Sequence, residues 1–145
     1  MAQLTPTTTD HERAMLHAHP QGPAFEENLL VTCIEACLDC AQTCEACADA
    51  CSVEADPRLL ARCIRLDHDC ADLCLAVARI LNRQAESDRN VARAAIEACG
   101  IACVACADEC DRHAARMEHC RICAEACREC ATACSRLLGK TIVKA

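Results

Sequence analysis

The feature that most restricts this chain is the spacing of its eighteen cysteines. Six of them, Cys33, Cys37, Cys40, Cys44, Cys47 and Cys51, follow one another in alternating steps of four and three. Cys99, Cys103, Cys106 and Cys110 repeat the pattern, and Cys120, Cys123, Cys127, Cys130 and Cys134 repeat it again. That alternation is the a/d rhythm of a helix whose one stripe faces a bundle interior. Cys63, Cys70 and Cys74 hold the same register more sparsely, with Asp67 at the intervening position. Glu35, Asp39, Gln42, Glu45, Asp49, Glu125 and Glu129 lie between the stripe residues and read as solvated outer faces.

The helix boundaries follow from the caps and breakers. Thr9 and Glu12 form a capping-box pattern for a short helix over about 10–19, stopped by Pro20. A long helix is expected over 24–53. Asp56-Pro57 supplies an N-cap and an N1 proline for a second over 57–85. Ser87 or Asp88 caps a third that runs to residue 111 or 113, and a fourth over 115–138 stops at Gly139. Short connections between similar helices favour an antiparallel up-down-up-down bundle. The expected fold is therefore all-α: residues 1–23 carry the short helix and a linker, 24–138 form the four-helix bundle, and 139–145 form a tail.

The two ends of that bundle differ when the registers are extended. At one end the stripes run into Leu30, Val77, Leu81, Ile96 and Leu137, an apolar plug. At the other they run into Glu54, Asp67 and His113, with Met117 and His119 beside them on the connection into the fourth helix. That end is polar, ligand-bearing and open.

Core filling alone does not explain eighteen thiols in register, since the 29 alanines and the single aromatic, Phe25, leave few large apolar residues. Disulfides within a helix are excluded because Cβ atoms at i,i+3 or i,i+4 lie about 5–6 Å apart, beyond the reach of an S–S bridge. Redox Cys-x-x-Cys chemistry needs an exposed thiol at a helix N-terminus, and the five such pairs here lie inside helices. Eight Cys-x-x-x-Cys pairs instead place two thiolates one turn apart, which suits Cu(I), a soft ion satisfied by two or three sulfurs. A continuous stripe along one helix does not provide the closed tetrahedron that Zn(II) wants. The loop triplet of an iron–sulfur site is missing too. An iron–sulfur electron-transfer protein and a Zn/Cd-sequestering metallothionein-like protein are the rival readings. Unshared pairs would hold about nine Cu(I), and fully bridging sulfurs about eighteen. His113 and Met117 are the candidate ligands at the open mouth, added to the eighteen cysteines.

A four-helix bundle lined by Cys33 to Cys51, Cys99 to Cys110 and Cys120 to Cys134 resembles the bacterial copper storage proteins, specifically their cytosolic branch. The resemblance implies multiple Cu(I) ions along the core, a homotetramer of bundles and copper passing through one end of each. A storage role implies no catalytic residues and a possible copper chaperone as exchange partner. Exported members carry a twin-arginine signal, which residues 1–20 lack, so the expected location is the cytoplasm.

A net charge of −7 without a basic stripe argues against nucleic acid, and no stretch reads as a membrane span. His11, Met15 and His19 share a face of the short helix and read as solvated, as does His68. Asp67 is expected to accept hydrogen bonds rather than bind copper. A second apolar stripe, Ile34, Leu38, Ile64, Ile101 and Val104 with Gly100 on its shoulder, serves either bundle packing or a subunit interface.

Overall fold

The computed structural model describes residues 8–142, with side chains from residue 11 onward. The parts of the expected N-terminal segment and tail that fall on 1–7 and 143–145 lie outside the described residues. Five α-helices are present among the described residues: α1 Thr8–Ala18, α2 Glu27–Ser52, α3 Ala61–Asn82, α4 Arg89–Asp111 and α5 Glu118–Leu138. Helix α2 packs against α3 and α5, and α4 packs against the same two, which closes an antiparallel square of four. The all-α bundle expected from the cysteine rhythm is the observed architecture.

Most ends are set by the residues nominated for them. Asp88 accepts a hydrogen bond from the Val91 amide at 3.0 Å and starts α4. Gly139 takes a left-handed conformation (φ 71°) and donates to Ser135 O at 2.9 Å, ending α5. Two expectations are corrected. Helix α1 begins at Thr8, which puts Thr9 inside the helix rather than ahead of it. Asp56 makes no side-chain cap, and Pro57–Leu60 form a 3-10 turn, so α3 begins at Ala61. A proline fixes the first turn but does not oblige it to continue as α-helix. Helix α3 also ends at Asn82, earlier than expected. Beyond it Gln84, itself buried, donates to Leu81 O at 2.6 Å and accepts from the Ala24 amide at 2.8 Å, joining the two chain segments at this end.

Helix α1 lies across the start of α2. Leu16 is buried there, Arg13 donates to Glu27 and Asn28 at 2.8 Å each, and His17 pairs with Glu27. Met15 is 68% exposed, and His11 lies on the surface. His19 accepts from the Gln21 amide at 3.1 Å.

Helix α4 is long and apolar enough, by length and composition alone, to cross a membrane, against the expectation that no stretch would be. Its apolarity is that of a core helix, since Cys99, Cys103, Cys106 and Cys110 are all buried inside the bundle. The second apolar stripe divides. Ile34 is buried, Ile64 and Val104 pack partly against the core, and Leu38 and Ile101 stay exposed. Gly100 is not explained by a neighbouring helix. A Cβ there would stand 1.9 Å from Cδ1 of Ile142, so the close approach is made by the C-terminal segment folding back over α4. Ile142 N donates to Ser135 Oγ at 3.3 Å, and Lys140 pairs with Glu97 at 3.0 Å, which fastens that segment.

Candidate metal centre

All eighteen cysteines are free thiols and all are buried. Their sulfurs form a connected row along the bundle axis. Starting near the apolar end, Cys33 meets Cys134 at 3.9 Å, Cys37 meets Cys130 at 3.7 Å, and Cys74 meets Cys99 at 3.6 Å and Cys130 at 3.9 Å. In the middle, Cys70 meets Cys103 at 3.6 Å, and Cys40 meets Cys70 at 3.8 Å and Cys127 at 3.7 Å. Cys44 lies 3.6 Å from Cys127 and 3.8 Å from Cys123. Near the polar end, Cys63 meets Cys110 at 3.5 Å, and Cys47, Cys51 and Cys120 lie within 4.0 Å of one another. The a/d register explains why every thiol points inward, and the antiparallel pairing explains why partners come from neighbouring helices.

These contacts correct one expectation. A stripe on one helix offers no tetrahedral donor group, yet the bundle assembles such groups from several helices. Cys37, Cys74, Cys99 and Cys130 form one group, and Cys44, Cys106, Cys123 and Cys127 another, with the sulfurs of each group within 4.8 Å of one another. A one-dimensional spacing cannot show which pairs the packing brings together.

Asp67 occupies a gap in the thiol row and is fully buried. Its Oδ1 accepts from the thiols of Cys106 at 3.1 Å, Cys123 at 3.2 Å and Cys110 at 3.7 Å. Burial, reinforced by negative charge at Cys123, pushes its carboxyl up to about 9, so it is neutral near pH 7 in the metal-free bundle. The expectation that it accepts hydrogen bonds agrees with this geometry. Hydrogen bonds from Cys110 and then Cys47 pull the Cys63 thiol down to about 3, with a smaller contribution from His113 nearby. Burial holds Cys120 up at about 11. The row therefore mixes thiols that yield protons readily with thiols that hold them.

The polar mouth is built differently from the expectation. His119 lies in the first turn of α5, and its Nδ1 stands 3.5 Å from Cys47 Sγ, 3.6 Å from Cys120 Sγ and 3.9 Å from Cys51 Sγ. Its place at this mouth agrees with the expectation that sets it beside Met117, although it precedes Cys120 directly rather than by a helical turn. At the first turn of a helix a neighbouring side chain can still turn inward. His113 instead faces Glu109, with Nε2 and Oε2 3.8 Å apart, and its Nδ1 is buried without a hydrogen-bond partner among the described residues. Met117 is the N-cap residue of α5 and packs half-buried against the core. Glu109 was missed altogether. It is buried beside Arg62 (3.8 Å) as well as His113, and its i,i+4 relation to His113 was the available signal.

At the other end Leu30, Val77, Leu81, Ile96 and Leu137 are all buried, as the apolar plug requires. His68 is exposed and pairs with Glu45 at 3.2 Å.

Comparison with known proteins places this arrangement. The chain is 49% identical to the copper storage protein Ccsp of Streptomyces lividans, in a structure loaded with 10 copper equivalents. That match covers 88% of this chain and 98% of that one, with a TM-score of 0.86. A second structure, of copper loading to a cytosolic copper storage protein from the same organism with five coppers, is 54% identical over 77% of this chain and 93% of that chain (TM-score 0.77). Apo copper storage protein 3 of Bacillus subtilis is 34% identical over 74% and 96% of the two chains (TM-score 0.62). No match was found among curated protein sequences. The family model described as copper storage protein matches residues 26–139, the whole thiol-lined bundle, and the chain belongs to that family.

Proposed function

We propose that this protein stores and buffers many Cu(I) ions in the cytoplasm, held by the thiolates that line its bundle. The observation that carries the reading is the set of eighteen buried thiols lining the bundle, whose closest sulfurs lie 3.5–4.0 Å apart. Where every sulfur bridges two Cu(I) ions, each thiolate gains one positive charge for the proton it releases, so a fully loaded core approaches neutrality. Eighteen bare thiolates could not be buried together, and the metal-free protein keeps most of them protonated. A related protein loaded with 10 copper equivalents supports a capacity of this order. The role is storage rather than catalysis.

The binding unit is residues 24–138, with all eighteen cysteines as ligands and His113 and Met117 as weaker ligands at the mouth. Imidazole and thioether hold Cu(I) less firmly than thiolate, so they suit receiving an ion and passing it inward. The cytosolic relative supports a cytoplasmic location, and a copper chaperone is the exchange partner that a storage role calls for. Exposed Leu38, Leu75 and Ile101 support assembly into a homotetramer of bundles.

Anaerobic addition of Cu(I) to the reduced protein, followed by ultraviolet sulfur-to-copper bands and free copper, tests the reading. More than about ten ions per chain are expected, with sulfurs shared between ions. Saturation at about four or fewer would reduce the row to a conventional site and overturn storage. Circular dichroism of the metal-free chain should already be strongly helical, since the a/d packing and the caps at Asp88 and Gly139 do not depend on metal.

A further inference from the structure

We propose that the mouth of the bundle holds a zinc site, Cys47, Cys51, Cys120 and His119, whose occupation by one Zn(II) closes the copper path until Cu(I) displaces it. The proposal rests on reading the bundle as a metal store with its mouth at this end.

The four donors, Sγ of the three cysteines and Nδ1 of His119, form a complete tetrahedron of near-equal edges. The sulfur–sulfur edges are 3.9 Å (Cys47 to Cys51) and 4.0 Å (Cys120 to each of them). The sulfur–nitrogen edges are 3.5, 3.6 and 3.9 Å. Zn(II) bonded to sulfur at about 2.3 Å and to nitrogen at about 2.05 Å sets tetrahedral donors about 3.8 Å apart for S···S and about 3.6 Å for S···N. The edges observed agree with that figure within a few tenths of an ångström, before any metal draws the donors in. Three thiolates and one imidazole are also a donor set typical of structural zinc. Cu(I), content with two or three sulfurs, has no need of the fourth vertex.

The ring is held for this role. With Nδ1 on the metal, the proton of the neutral ring would sit on Nε2, which faces Glu54 Oε2 at 3.8 Å and has no hydrogen-bond partner among the described residues. A carboxylate beyond a ligating histidine fixes its tautomer and raises its basicity.

Charge selects the mouth over the four-cysteine groups deeper in the bundle. Zn(II) with four thiolates leaves two negative charges, and the group at Cys106 and Cys123 would place them against Asp67 in a fully buried core. Zn(II) at the mouth leaves one, beside a ring that is 26% exposed to water. These three thiols are the outermost of α2 and α5, so an ion there stands across the path inward on that side. Cu(I) should replace it because thiolate favours the softer ion.

The experiment uses the full reduced chain, metal-free and anaerobic, with Zn(II) titrated against a chromophoric zinc chelator and Co(II) as a spectroscopic substitute. One Zn(II) per chain should resist the chelator, and one Co(II) should show the intense visible bands of a tetrahedral thiolate centre. His119→Ala should weaken the tightest site by about tenfold or more and shift the Co(II) bands, and Cys51→Ser should do the same. Circular dichroism of both variants would verify that they remain folded. Subsequent Cu(I) addition should release one Zn(II) per chain as it loads. Zn(II) binding no tighter in the parent than in the two variants, or an octahedral Co(II) spectrum, would overturn the proposal. Cu(I) titration of the same preparation separates the failures: high copper capacity without zinc binding defeats the zinc site alone, whereas loss of copper capacity defeats the storage reading beneath it.

Discussion

The two ends of the bundle continue the same four a/d registers, yet one is packed with hydrocarbon and the other carries ligating side chains. At the closed end the register positions are Leu30, Val77, Leu81, Ile96 and Leu137, all buried, and the C-terminal segment is strapped beside them by Ile142 and Lys140. At the open end the stripes finish in Cys51, Cys63, Cys110 and His113, flanked by Glu54, Glu109, Met117 and His119. Backbone geometry is common to both, so side-chain chemistry alone distinguishes the two ends. A hydrated cation meets branched hydrocarbon with nothing to replace its water at one end and a graded set of ligands at the other.

The sharpest way to break this comparison is to open the closed end. Leu81→Ala with Leu137→Ala should lower the stability of the metal-free protein by about 2–5 kcal/mol per site, read from denaturant unfolding. The rate of copper loading should stay at the parent value. Faster loading through that end would reverse the polarity assigned here.

The next effect belongs to Asp67, which lies within the thiol row one turn inside Cys63. Its carboxyl titrates near 9 in the fold and near 3.8 when unfolded, so between those values the folded chain binds the extra proton. Stability from this group is therefore full below about 4 and is lost progressively as pH rises toward 9. Asp67→Asn should flatten that slope in urea midpoints measured across the window on metal-free protein. An unchanged slope would show that Asp67 is ionised in the fold.

Smaller in energy, though not in rate, is the change at the mouth. His113→Ala with Met117→Ala should alter the speed at which copper is loaded or withdrawn by a chelator, while total capacity stays within about two ions of the parent. If the speed is unchanged, these residues are not ports and the path runs by His119 alone.

The smallest expected effect concerns the strap at the closed end. Gly100→Ala alone must displace the Ile142 side chain, which offsets the gain in helix propensity. In an Ile142→Ala background the same change should stabilise the chain by about 1 kcal/mol, read as a rise in Tm. Equal effects in both backgrounds would mean that Ile142 does not pack there in solution.

Much of this was legible in the residues. The period of Cys33 to Cys51 fixes a helix and its buried face together, because each thiol position is separated from the next by one turn. Gly139 and Asp88 are local signals and act locally, through hydrogen bonds within four residues. The failures share a cause. Asp56-Pro57 is a local signal overridden by a 3-10 turn, and Gly100 looks like a helix contact until the tail is seen to fold over it.

Sequence by itself determined that the chain is a helical bundle, that eighteen thiols face inward and that its two ends differ, because helical periodicity converts spacing directly into a shared face. Tertiary structure alone decided which thiols meet across helices, that Asp67 sits among three donors, that Glu109 is buried and that His119 completes a four-donor site. Those outcomes depend on the relative rotation and stagger of separate helices, which side-chain packing sets and no single helix encodes.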